Sequence, residues 1–179
     1  MNIFITNDDG IEAIGIQALA KTMAEFGNIY VVAPDKEYSG MSRSISIRKP
    51  LTAKKYHIAD DIVSYSLAGS PTDCVKVGIE GIFKEVEFDL LLSGINRGPN
   101  LGSDVFYSGT VSAALEGLYQ NIPSISLSNC SFEDDSNAYE LICDKFREFL
   151  NGYLKNMDKQ REFILNINFP EKICVDNEF

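Results

Sequence analysis

Asn7-Asp8-Asp9-Gly10 follows the apolar run Ile3-Phe4-Ile5-Thr6, so two adjacent carboxylates stand where a buried strand gives way to a loop. Like charges side by side call for a cation or a proton to offset their repulsion. Oxygen donors of this kind suit a hard divalent metal. A solvated Asp-Asp-Gly turn accounts for the same four residues. Open α/β sheets gather ligand-binding groups at the carboxyl ends of their strands, and three further clusters fall at comparable positions.

The first follows Val31-Val32-Ala33, where Pro34-Asp35 leads to Ser39-Gly40, a loop able to bring a hydroxyl to the sheet edge or simply a Ser-Gly turn. Arg43, four residues on, either neutralises an anionic ligand or is solvated. The second follows Leu90-Leu91-Leu92: in Ser93-Gly94-Ile95-Asn96-Arg97-Gly98-Pro99-Asn100-Leu101-Gly102, glycines keep backbone bulk low while Asn96 and Asn100 offer amide groups. The third is Tyr107-Ser108-Gly109-Thr110, which opens a helical pattern. Its free N–H groups and the hydroxyls of Ser108 and Thr110 suit an anion, and N-capping alone explains the same residues.

These clusters need a scaffold, and the pattern supplies one. Strands are expected at 2–6, 29–33, 62–67, 88–93, 124–127 and 163–167, separated by helical stretches. Ile14, Ala18, Leu19, Met23 and Phe26 recur at helical spacing before Gly27, completing a βαβ unit. Further helices are expected at 72–83, 110–119 and 137–154, the last with Leu141, Phe146, Phe149 and Leu150 as its apolar stripe. Ser70-Pro71-Thr72-Asp73 reads as a helix cap. The alternation predicts an α/β fold with a mostly parallel sheet covered on both faces. Residues 37–57 break the rhythm, and Ser44-Ile45-Ser46-Ile47 predicts a hairpin or flap after the second strand.

The chain has 179 residues, 45% of them hydrophobic, which suits one domain over 1–179. A formal net charge of −10 leaves no broad basic face for a nucleic acid polymer or an anionic membrane. Cys74, Cys130, Cys143 and Cys174 form no CxxC pair, and His57 is the lone histidine, so a zinc set is not expected. The N-terminus lacks a signal-peptide pattern and no apolar run approaches the roughly 20 residues that span a bilayer. A reduced, cytoplasmic protein is expected.

The ordered set of residues 7–10, Ser39-Gly40, Gly69-Ser70-Pro71-Thr72-Asp73-Cys74, 93–102 and 107–117 resembles the SurE family, metal-dependent nucleotidases of the survival protein SurE type. The resemblance runs from Met1 to about Pro170, where Leu165-Asn166-Ile167-Asn168-Phe169-Pro170 is similar to the family's late strand. It implies a Rossmann-like three-layer α/β/α core and one divalent ion, Mg²⁺ or Mn²⁺, held by Asp8, Asp9, Ser39 and Asn96. It also implies removal of phosphate from nucleoside 5′-monophosphates, and in some members from 3′-monophosphates and short polyphosphate. On this pattern Asp8 or Asp9 would orient or deprotonate the attacking water. Asn96, Asn100, Ser108, Gly109 and Thr110 would hold phosphate oxygens, with Gly40 and Arg43 nearby. Family members continue past the Asn-Ile-Asn-Phe-Pro region into an arm exchanged between subunits. This chain ends at Phe179, so the arm is expected to be missing, and the homodimer or tetramer of the family is implied only by the resemblance.

Other readings make different demands. A receiver-type signalling domain also has an acidic pair after its first strand, but needs an Asp after the third strand and a Lys near the end of the fifth; Ser93-Gly94-Ile95-Asn96 and 124–130 supply neither. A dehalogenase-type phosphatase needs Asp-x-Asp, which Asp8-Asp9-Gly10 does not provide. A relative that binds metal or nucleotide without turnover has the same motifs.

Overall fold

The structure is a computed structural model and describes residues 1–133, 135–155 and 162–171. Strands β1 (Asn2–Thr6), β2 (Asn28–Pro34), β3 (Ala53–Tyr56), β4 (Ile62–Leu67), β5 (Leu90–Arg97), β6 (Ser124–Asn129) and β7 (Leu165–Phe169) form one sheet. Their order is β3-β4-β2-β1-β5-β6-β7. Every pairing is parallel except β3 with β4. Helices α1 (Ile14–Met23), α2 (Pro71–Val77), α3 (Gly109–Tyr119) and α4 (Ser136–Tyr153) cover its two faces.

Side-chain alternation along β1 separates the layers. Ile3 and Ile5 pack with Ile16, Leu19 and Met23 of α1 and Tyr139, Ile142 and Phe146 of α4. Phe4, between them, enters the opposite layer with Cys74 and Val75 of α2 and Ala113 of α3. The central strands are buried on both sides and therefore read as continuous apolar runs. On α4 the buried stripe is Tyr139, Ile142, Cys143, Phe146, Leu150 and Tyr153, whereas Leu141 and Phe149 of the expected stripe lie at its half-buried margin. The helix packs on α1, and its buried residues share one core cluster with those of α1 and the sheet.

The chain runs from β1 to β2, reaches β4, and then crosses back to place β5 on the other side of β1. The order reverses between β1 and β5. That crevice, at the carboxyl ends of the strands, is where open α/β sheets bind ligands.

Two expectations change. Strand β5 does not end at residue 93 but continues to Arg97, through a bulge where Ser93 faces Ser126 and Asn96 faces Ser128 of β6. Three steps on β5 match two on β6, so the extra residue re-aims Asn96 at the crevice. Glycine 94 made this stretch read as a loop. The excursion after β2 does return as a hairpin, but with β3 paired antiparallel to β4, and Ser44-Ile45-Ser46-Ile47 forms no strand. That segment is pinned by the start of α2 instead. Ser70 Oγ accepts from the Asp73 N–H at 3.1 Å and Asp73 Oδ2 from the Ser70 N–H at 3.0 Å, a reciprocal cap. The same two side chains reach the excursion: Asp73 Oδ1 accepts from the Ser46 N–H at 2.9 Å, and the Ser70 hydroxyl donates to the Ser44 carbonyl at 2.6 Å. The isoleucine alternation is overridden, and Ile47 stays exposed.

Among the described residues Cys74, Cys130 and Cys143 are free, no group of three His, Cys, Asp or Glu side chains could hold a metal, and no helix is long and apolar enough to cross a membrane. Cys174 and the chain end at Phe179 lie outside the described residues.

Phe4 is fully buried and meets the Phe88 ring edge-on at 5.3 Å, tying β1 to the α2–α3 layer. Phe4→Ala removes that ring and leaves a cavity, so guanidinium unfolding is expected to show a loss of about 3–5 kcal/mol.

Candidate metal and phosphate site

The turn after β1 is closed by its own asparagine: Asn7 Nδ2 donates to the Gly10 carbonyl at 2.9 Å and Asn7 Oδ1 accepts from the Gly10 N–H at 3.2 Å. This holds Asp8 and Asp9 in the crevice between β1 and β5. Asp8 is almost wholly buried, and its Oδ1 accepts a short hydrogen bond from the Thr110 hydroxyl. The Thr110 oxygen is also 3.4 Å from Asn96 Oδ1. One hydroxyl carries one proton, and the shorter contact places it on the Asp8 side.

Asn96 donates through Nδ2 to the Gly98 carbonyl at 2.8 Å, which turns its Oδ1 toward Asp8 and Thr110. Asp9 Oδ2 accepts from the Arg97 backbone N–H at 3.0 Å. Across the crevice, Tyr38 donates its N–H to the Asp8 carbonyl at 2.7 Å, anchoring the loop that carries Ser39. The Ser39 hydroxyl donates to Glu37 Oε1 at 2.8 Å, leaving its oxygen lone pairs available.

Helix α3 meets this centre end-on. Ser108 caps it by accepting from the Val111 N–H at 3.1 Å. The N–H groups of Gly109 and Thr110 favour the Asp8 carboxylate. A Cβ built on Gly109 would lie 2.8 Å from Asp8 Cβ and 2.9 Å from Asp8 Oδ2, so only glycine lets the helix end approach this closely.

Asn100 is held from the far strands. Its carbonyl accepts from Asn166 Nδ2 at 2.8 Å and Asn168 Nδ2 at 3.3 Å, and its N–H donates to Asn168 Oδ1 at 2.8 Å. Its Nδ2 donates to Ser128 Oγ at 2.9 Å. The late strand therefore helps fix the site loop.

Asp8, Asp9, Ser39, Gly40, Asn96, Asn100 and Ser108 line one cleft of about 400 Å³. Gly109 and Thr110 stand behind Asp8 instead of on the cleft wall. Arg43 does not line it either. It pairs with the buried Glu116 at 2.6 Å and lies 4.3 Å from the centre of the Tyr119 ring, latching the excursion to α3. The cleft also contains Glu37, Arg97, Asp104, Tyr107 and Phe132, to which sequence reasoning gave no role. For Arg97 and Tyr107 the signal was adjacency to motif residues. For Phe132 none existed, because it arrives from the loop after β6.

The centre is electrostatically unbalanced. Burial pushes the Asp8 carboxyl above its usual range, against the opposing hydrogen bonds from Thr110 and the start of α3. Burial and the neighbouring Asp8 charge push Asp9 up to about 7, despite the Arg97 N–H and guanidinium. Four carboxylates and one guanidinium line the cleft, so an anion entering alone meets net repulsion. Two carboxylates, an amide oxygen and a hydroxyl are the hard oxygen donors that Mg²⁺ or Mn²⁺ takes, and they fit such an ion.

Two outcomes follow from this crowding. Asp9→Asn removes the repulsion, so the metal-free chain is expected to melt at a higher temperature while its affinity for Mn²⁺ falls in calorimetric titration. Gly109→Ala forces Asp8 aside and is expected to weaken Mn²⁺ binding by about 10- to 100-fold, as loss of a positioning contact around a ligand typically does.

Comparison with known proteins identifies the family. The family model described as survival protein SurE matches residues 3–178. The 5′-nucleotidase SurE of Kosmotoga olearia is 47% identical over 171 residues, covering 95% of this chain and 66% of the relative. A Clostridium botulinum protein of the same name is 38% identical over 178 residues, covering 99% of this chain and 69% of the relative. The crystal structure of the SurE protein from Aquifex aeolicus superposes with a TM-score of 0.84 at 37% identity, over 96% of this chain and 67% of that one. The chain thus spans about two thirds of the length of the curated relatives it matches. A family match across nearly the whole sequence, on the fold and crevice described above, establishes that the chain belongs to the survival protein SurE family.

Proposed function

We propose that the chain is a divalent-metal-dependent nucleotidase that hydrolyses nucleoside 5′-monophosphates to nucleoside and phosphate, with 3′-monophosphates and short polyphosphate as further substrates of the same centre. The observation that carries the reading is the juxtaposition of Asp8, Asp9 and the Asn96 carbonyl oxygen at the β1–β5 reversal, against the end of α3. Family membership and the printed name of the relatives support it.

In this reading Asp8, Asp9, Ser39 and Asn96 hold one Mg²⁺ or Mn²⁺. When bound, the ion supplies Lewis-acid polarisation of a phosphate oxygen and lowers the pKa of a coordinated water. The protein supplies the rest. Thr110 and the N–H groups at the start of α3 fix Asp8 and oppose the burial that disfavours its ionised form. Asp9, the less buried of the pair, accepts the proton of the attacking water. Asn100 and Ser108 line the cleft and offer polar groups to phosphate oxygens as charge moves onto the leaving alkoxide. Asn100 is immobilised by Asn166 and Asn168, so little reorganisation is needed at that point.

Residues 1–179 make one SurE-type domain on this proposal, acting as a homodimer or tetramer. The free cysteines are compatible with a reducing, cytoplasmic setting.

The test is release of phosphate from AMP, GMP and an aryl phosphate with Mn²⁺, Mg²⁺ or chelator. Chelator is expected to abolish turnover, and Asp9→Ala to lower kcat/KM by at least about 10²-fold, since loss of a direct ligand costs no less than loss of its supports. Metal-independent turnover, or full activity in Asp9→Ala, overturns the proposal.

A further inference from the structure

The cleft that holds the acidic centre also has aromatic residues in its lining. Phe132 and Tyr107 both line it, and they remain 74% and 65% exposed. A volume of about 400 Å³ lies within the roughly 300–1,000 Å³ of small-molecule sites and exceeds the needs of a phosphate group alone.

Both rings project from fixed backbone. Tyr107 donates its N–H to the Asp104 carbonyl at 3.0 Å, and its own carbonyl accepts from the Ser42 N–H at 3.0 Å. Phe132, from the loop after β6, packs its ring against the loop that carries the site asparagines. A Cβ built on Gly98 would be 2.5 Å from its ring, so the glycine between Asn96 and Asn100 makes room for the phenyl group. The Gly98 N–H in turn donates to the Asn129 carbonyl at 2.9 Å, which ties that loop to the end of β6 just ahead of Phe132. Rings and a metal-suited acidic centre at one cleft suit a ligand with an aromatic end and an anionic end.

We propose that Phe132 and Tyr107 form a nucleobase platform, on which the base of a nucleoside monophosphate stacks while its phosphate meets the Asp8–Asp9 centre. The inference rests on the nucleotidase reading and names what selects the substrate within it. Aromatic faces read π-surface and not a hydrogen-bond pattern, so the platform accepts every base and favours purines through their larger area.

The experiment compares kcat/KM for AMP with that for ribose 5-phosphate, which keeps the sugar and phosphate but lacks the base, in Mn²⁺. The wild-type chain is expected to prefer AMP by about tenfold or more, the scale of one base–aromatic stack. Phe132→Ala and Tyr107→Ala are each expected to reduce that ratio roughly tenfold, whereas Phe132→Tyr and Tyr107→Phe retain it. A wild type that treats the two phosphates alike, or alanine variants with an unchanged ratio, overturns the platform while leaving the phosphatase reading intact. If neither phosphate is hydrolysed, the nucleotidase reading fails separately. Calorimetric affinities for the same two compounds then decide: a preference for AMP that Phe132→Ala removes upholds the platform, and equal affinities overturn it.

Discussion

Two neighbouring carboxylates sit at the sheet reversal with too little water and too little positive charge to balance them. Asp8 is nearly sealed, and Asp9 is driven to about 7 by burial and by Asp8. The surrounding protein softens this without resolving it: the Thr110 hydroxyl and the start of α3 serve Asp8, and the Arg97 N–H serves Asp9. A fold that carries such a centre keeps a standing electrostatic cost that only a bound cation or a proton offsets. The small residues and buried amides nearby are arranged around that cost.

The three layers convert sequence-distant loops into one wall. The bulge in β5 aims Asn96, glycine at 109 admits the helix end, and the asparagines of β7 reach across β6 to fix Asn100. The Ser39 loop is secured to β1 through Tyr38. The rest of the excursion is held by β4 through β3, by α2 through Ser70 and Asp73, by the Tyr107 carbonyl through the Ser42 N–H, and by α3 through Arg43 and Glu116. Each tether is polar and specific, so the site depends on contacts that hydrophobic burial alone does not dictate.

What could be read from the sequence follows from the range of the interactions. The βαβ rhythm, the parallel sheet and the capping role of Ser70 are local or periodic, and they were legible. The candidate ligands were legible as strand-end clusters, and the cleft brings Asp8, Asp9, Ser39, Asn96, Asn100 and Ser108 together. Residues whose role depends on tertiary geometry were not. The glycine in Ser93-Gly94-Ile95-Asn96 marks a bulge, which looks like a loop until the register with β6 is known. Ser44–Ile47 alternates as a strand does, yet the α2 cap captures its backbone first. Arg43 resembles a phosphate ligand but has a buried glutamate closer at hand. Phe132 enters the cleft from a loop that no motif marks.

In the function proposed above, Asp8 and Asp9 form half of a mononuclear metal site. Electron paramagnetic resonance of Mn²⁺ titrated into the chain, with wild type set against an Asp8→Ala/Asp9→Ala variant, tests it most directly. One bound Mn²⁺ per wild-type chain and none in the variant is the expected result. Equal binding by the two proteins would contradict it.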